Sequence, residues 1–156
     1  MSLRFFIDGY NVIRSSEWLS QGSLGQQRER LIRFIEQKSP CGSSRNHATV
    51  VFDGRPGRDG RIASASVTIV FSDEVDADTV IKDQVDALVH PADAVVVTND
   101  KAIQRWVRGA KARVISCEEF LAKGRAAQPK IASSEGPDPD STRRINEEFK
   151  RIWKMK

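Results

Sequence analysis

The stretch LRFFIDGYN, residues 3 to 11, decides how the rest of the chain is read. Leu3 to Ile7 have the composition of a buried strand, and Asp8 follows at once. A carboxylate loses solvation where such a strand enters the core, which costs free energy unless something positive meets it. Gly9, Tyr10 and Asn11 then supply tight-turn chemistry rather than a continuing strand. Three occupations are open to Asp8: a cap, a metal ligand or a substrate contact.

Four more apolar runs repeat the pattern: ATVVF (48–52), VTIVF (67–71), AVVVT (94–98) and ARVIS (112–116). They are rich in Val, Ile, Phe and Thr, and AVVVT has no polar alternation, as expected of strands covered on both faces of a parallel sheet. Helical periodicity fills the intervals. Leu24 to Gln37 sets Leu31, Ile32, Phe34 and Ile35 against a charged side of Arg28, Glu29, Arg30 and Glu36. Ala77 to Val89 carries Val80, Ile81, Val85 and Leu88, and Lys101 to Val107 carries Ile103 and Trp106 before Gly109. The order predicts a three-layer α/β domain around a mostly parallel five-stranded sheet, over residues 1–121. Residues 122–140 read as a linker by their Pro, Gly, Ser and Ala content. Residues 141–156 predict an amphipathic helix, with Ile145, Phe149, Ile152 and Trp153 on one stripe.

Charge separates the same regions. Of 25 basic and 21 acidic residues, the last 16 residues hold six basic and two acidic ones, so residues 1–140 are neutral in sum. Attraction to a polyanion must then come from local patches or from the tail. No apolar run is long enough for a membrane span, and Asp8 interrupts the N-terminus as a signal peptide would not allow. Cys41 and Cys117 form neither a disulfide framework nor a CxxC site. These features predict a cytoplasmic protein with two reduced thiols. Nothing in the sequence chooses between a monomer and a homodimer.

The acids fall at strand ends. Asp8 and Asp53 directly follow two of the runs, Asp100 follows AVVVT after Asn99, and Asp76 and Asp78 follow VTIVF after a short acidic turn. In an open parallel sheet these ends share one edge, where such folds place ligands. Clustered carboxylates repel unless a cation neutralises them. Oxygen ligands without an accompanying His or Cys set select Mg²⁺ or Mn²⁺. One or two such ions suit phosphodiester hydrolysis, activating water and stabilising the leaving oxygen. Each acid alone reads more readily as a helix cap or turn former: Asp76 and Asp78 flank a helix start, so one of the two suits a cap, and Asp53-Gly54 is a plain turn signal. Asn11, Thr98 and Asn99 are placed to orient Asp8 and Asp100.

The ordered pieces FIDGYNVI, VVFDGR (50–55), IVFSDEVDADTVI (69–81), VVVTNDKAI (95–103) and ARVISCEEFL (112–121) resemble the YacP-like branch of NYN-domain nucleases, in the PIN-like superfamily. The resemblance implies a PIN-like fold and divalent-metal-dependent cleavage of RNA. It places the acidic site at Asp8, Asp78 and Asp100, with Asp53 supporting, and Asn11 matches the asparagine of the opening signature. Where other members carry Thr-Ala-Asp, this chain has Asp76-Ala77-Asp78, so the added acid is either a ligand or a cap. YacP-like members are associated with ribosome-linked mRNA cleavage.

Candidate RNA contacts surround the acids. Arg55, Arg58 and Arg61 sit on the loop after Asp53, and Lys101 and Arg105 beside Asp100, for phosphates; Arg108 is a further cation there. Tyr10 is placed either to stack on a base or to pack on the sheet edge. Trp106 reads as core, Trp18 as a satellite core, and neither His47 nor His90 has a supporting pattern. A haloacid-type phosphatase would need an acid where Tyr10 stands, and a Toprim nuclease an earlier strand-end Glu. The serious rival is a non-catalytic RNA-binding module of the same fold.

Overall fold

The computed structural model describes residues 2–42, 45–57 and 64–126. Arg58, Arg61, linker residues 127–140 and the amphipathic segment 141–156 therefore lie outside the described residues. In chain order the elements are β1 (Arg4–Asp8), α1 (Gly9–Arg14), α2 (Leu24–Lys38), β2 (His47–Phe52), β3 (Val67–Phe71), α3 (Ala77–Asp86), a 3₁₀ turn (Pro91–Asp93), β4 (Ala94–Val97), α4 (Lys101–Gly109), β5 (Arg113–Ile115) and α5 (Cys117–Ala126).

All five strands are parallel, in the order β3-β2-β1-β4-β5. Side-chain alternation along β1 sends Phe5 and Ile7 to one face and Phe6 to the other, so each face has its own core. The first face is covered by α1, α2 and α5 through Val12, Ile13, Leu31, Ile32, Phe120 and Leu121. The second is covered by α3 and α4 through Ile81, Val85, Ile103 and Val107. Trp18 joins the first core edge-on to Phe34, and Trp106 packs on the second. Among the described residues no helix is long and apolar enough to cross a membrane.

Three local readings change. Residues 9–11 begin a helix instead of a turn, because a close approach favours glycine there: a Cβ on Gly9 would lie 2.5 Å from the Phe52 ring and 3.1 Å from Val50. α5 carries the helical structure to Ala126, beyond residue 121, and is seated where Gly124 lies against the Phe34 ring. Arg28, expected on a solvated side of α2, is only 3% exposed. Its guanidinium lies over the Phe71 ring and donates to the Tyr10 hydroxyl (2.9 Å) and the Pro56 carbonyl (3.1 Å).

Candidate active site

The strand order reverses at β1, whose neighbours are β2 on one side and β4 on the other. Crevices at such switch points, beyond the carboxyl ends of the strands, are where open α/β sheets bind ligands. Asp8 ends β1 at this point, and Thr98, Asn99 and Asp100 run out of β4 beside it. The Thr98 hydroxyl links the two acids: it accepts from the Asp100 backbone N–H (3.1 Å) and makes a long contact to Asp8 Oδ2 (3.4 Å).

Asp8 occupies the N-cap position of α1, yet its side chain makes no capping hydrogen bond. Burial pushes its carboxyl up to about 6. The Asn11 backbone N–H, the Arg14 charge and the Thr98 hydroxyl pull it back, while the negative Asp100 adds to the rise. Asp100 does cap, accepting at Oδ1 from the Ala102 (2.9 Å) and Ile103 (3.2 Å) N–H groups of α4. Lys101 and Arg105 are exposed on that helix.

Asn11 and Asn99 brace the crevice through a closed set of bonds. Asn11 Oδ1 accepts from the Asn99 N–H (2.8 Å) and the Cys117 thiol (3.1 Å). Asn99 Oδ1 in turn accepts from the Cys117 N–H (2.8 Å), and its Nδ2 donates to Glu118 (3.0 Å). Three elements, α1, the β4–α4 turn and α5, are thus tied below Asp8. Burial raises the Cys117 thiol to about 12, so it acts as a neutral donor.

The β2–β3 half of the edge is arranged differently. Asp53 is exposed and accepts at Oδ1 from the Ala77 N–H (3.2 Å) and the Ser72 hydroxyl (3.3 Å), fastening the start of α3. Asp76 caps α3 through the Thr79 N–H (2.9 Å) and hydroxyl (2.6 Å), which hold its carboxyl below the usual range. Asp78 pairs with Lys82 at 3.2 Å through Oδ2, while its Oδ1 is buried with no hydrogen-bond partner. Arg55 is exposed and ion-paired to Asp73 (2.7 Å) and Glu74 (3.3 Å). Tyr10 packs against Phe52, ring centroids 5.2 Å apart.

The residues fit a hard divalent cation in donor chemistry. A desolvated carboxyl beside a second one, and a buried carboxylate oxygen without a partner, are the groups such an ion would satisfy. Among the described residues no three His, Cys, Asp or Glu side chains are gathered to hold a metal. Mg²⁺ does not require such a cage, since it keeps several waters and takes one or two carboxylates together with substrate phosphates.

Three residues at this edge had no assigned role from sequence. Cys117 and Glu118 follow β5 as the aspartates follow the other strands, so the strand-end rule extended to the fifth run would have found them. Arg14 was hidden because α1 read as a turn.

A comparison with curated proteins found no match. Among solved structures, one of Rae1 (YacP) from Bacillus subtilis has a TM-score of 0.70 at 24% identity, covering 99% of this chain and 93% of that one. Its W164L mutant has a TM-score of 0.66 at 26% identity, covering 96% and 83%. The first likeness is one of fold; the wider one is carried by the family comparison, which matches residues 5–155 to the YacP-like NYN domain. The chain belongs to the family of YacP-like NYN domains, whose function is nuclease- and RNA-related.

Proposed function

We propose that this protein is a divalent-metal-dependent endoribonuclease that hydrolyses phosphodiester bonds of single-stranded RNA, with mRNA at the ribosome as the substrate the family resemblance implies. The observation that carries the reading is the Asp8–Thr98–Asp100 linkage across the switch point, where Asp8 is desolvated without a capping bond. Asp8, Asp100 and Asp78 are the residues that would hold Mg²⁺ or Mn²⁺. When bound, the ion supplies charge neutralisation and a more acidic water.

The chain's own groups do the rest. With its carboxyl near 6, Asp8 is mostly ionised at neutral pH, which is the form a cation and a water proton both require. Thr98 and Asn11 fix its position. Arg14 stands close enough to Asp8 for its charge to be felt there, so it would hold the phosphate next to the acids. Arg55, Lys101 and Arg105 are exposed and would bind flanking phosphates. The Arg55 ion pairs are solvent-screened and cheap to exchange for a phosphate.

The test is cleavage of a panel of single-stranded RNAs with Mn²⁺, with chelator and with the Asp8→Asn variant. The expected result is cleavage with Mn²⁺ alone, falling by at least about 10³-fold in the variant while its circular dichroism is unchanged. The absence of a gathered three-residue metal set among the described residues favours a second reading, a non-catalytic RNA-binding module. RNA retarded in a gel yet uncut by wild type with Mn²⁺ would establish that reading instead.

A further inference from the structure

Adjoining the acidic residues, on the β1–β2 side of the switch point, lies a cleft of about 440 Å³ bordered by α1, the start of α2 and residues 53–57 after β2. We propose that it binds one unpaired nucleobase of the RNA, in the nucleotide adjoining the phosphate at Asp8. This deepens the reading above and rests on it for the identity of the polymer.

The walls suit a flat heterocycle. Tyr10 and Leu24 give apolar surface, with the core residue Ile13 behind them, and Leu24 is 56% exposed, among the few large hydrophobic side chains left open among the described residues. Tyr10 is held in advance, its ring against Phe52 and its oxygen accepting from Arg28. A ring fixed this way offers stacking surface without an ordering cost on binding.

Polar groups on the rim complement a base edge. The Tyr10 hydroxyl, already an acceptor from Arg28, retains its own hydrogen to donate. Gln27 donates through Nε2 to the Gly22 carbonyl (2.8 Å), which orients its amide and leaves Oε1 as an acceptor. Asp53 also lines the cleft. Arg14, Arg28 and Arg55 line the cleft too, so its charge does not exclude phosphate. Asp53 adds an acceptor for a base amino group, and the apolar walls are what favour the base over the charged backbone as the occupant. Continuity with the acids comes from Arg14, which lines the cleft and whose charge reaches Asp8. A strand crossing that arginine would lay one base into the cleft and the next phosphate over the carboxylates.

The experiment measures binding without catalysis. Fluorescent tetraribonucleotides, carrying A, C, G, U or an abasic ribose at each position in turn, are titrated by anisotropy into the full chain with chelator present. The expected result is that an abasic site at one position weakens binding by at least about tenfold and at the others by about threefold or less. Tyr10→Ala, which removes the stacking ring, and the exposed Leu24→Ala, each confirmed folded by circular dichroism, should each reduce that penalty to about twofold. An evenly spread penalty, variants that keep the full tenfold effect, or no RNA binding at all would overturn the proposal. The two readings separate cleanly. Base-dependent binding without Mn²⁺ cleavage upholds the cleft and sinks the nuclease, whereas cleavage indifferent to the base and to both variants does the reverse.

Discussion

Asp8 and Asp76 occupy the same station in two halves of one molecule: each is the extended residue immediately before a helix on the carboxyl edge of the sheet. At Asp76 the side chain accepts two hydrogen bonds from Thr79 and its carboxyl sits below the ordinary range. At Asp8 no well-formed capping bond is made, the Asn11 N–H only partly offsets burial, and the carboxyl rises to about 6. Identical residue type and backbone setting thus give opposite electrostatics. A cap is satisfied by its own helix. A site carboxylate is left in want of a partner from outside, and the free energy of that want is what a cation or substrate recovers. Asp100 lies between the two extremes, capping α4 through one oxygen while facing Asp8.

The largest break in the comparison is Asp8→Asn. Beyond the loss of cleavage expected above, the metal-free variant should be more stable than wild type at neutral pH by roughly 3 kcal/mol, because an amide bears no desolvation penalty for charge. The pH dependence has a definite sign. A native carboxyl at about 6 binds its proton more tightly than the unfolded group near 3.8, so this contribution falls as pH rises from about 4 to 6 and is level beyond. Urea midpoints taken across that range should decline in wild type relative to the variant. Mn²⁺ should raise the wild-type midpoint alone. Equal pH profiles would mean that Asp8 is as well satisfied as Asp76.

A smaller effect is expected from Gly9→Ala, which asks what holds Asp8 in place. With only weak contacts from Asn11 and Thr98, packing must contribute: α1 starts so close to β2 that an added methyl meets the fully buried Phe52 ring. Overpacking should cost about 1–3 kcal/mol, partly offset by about 1 kcal/mol of better helix propensity. Denaturant unfolding would report it. No loss of stability would show that the Phe52 ring gives way freely, and the close approach would no longer explain the glycine.

These cases also show what the sequence could reveal. The strands were legible because five short β-branched runs cannot be covered on both faces except in a layered parallel sheet; VTIVF matches β3 residue for residue. The strand-end acids followed from that alone. Which of them cap was not legible, since capping depends on χ angles and on Thr79, a neighbour with an ordinary sequence role. Nor was Arg28. Its position on α2 is periodic with the polar residues, whereas the partners that meet it in the core, the loop carbonyl of Pro56 and the side chains of Tyr10 and Phe71 among them, are distant in sequence. The α1 helix was missed because Gly-Tyr-Asn favours turns locally, and tertiary packing on β2 overrode that preference.

The smallest effect belongs to Asp76→Ala, and its size is the point. If Asp76 is a cap and nothing more, the variant should lose a few degrees of Tm and keep its Mn²⁺-dependent cleavage within about twofold. Its pH signature runs opposite to that of Asp8. A carboxyl held below its ordinary range adds stability above about 4, and that contribution is lost as pH falls further. The wild-type and Asp76→Ala melting curves should therefore converge in acid, while those of wild type and Asp8→Asn converge there for the contrary reason, protonation relieving a penalty instead of removing a bond. Asp78→Asn supplies the contrast on the same helix, because its buried Oδ1 has no partner to lose. A cleavage defect in Asp76→Ala as deep as in Asp78→Asn would place Asp76 among the groups that meet the cation, and the distinction between a satisfied cap and an unsatisfied site carboxylate would fail there.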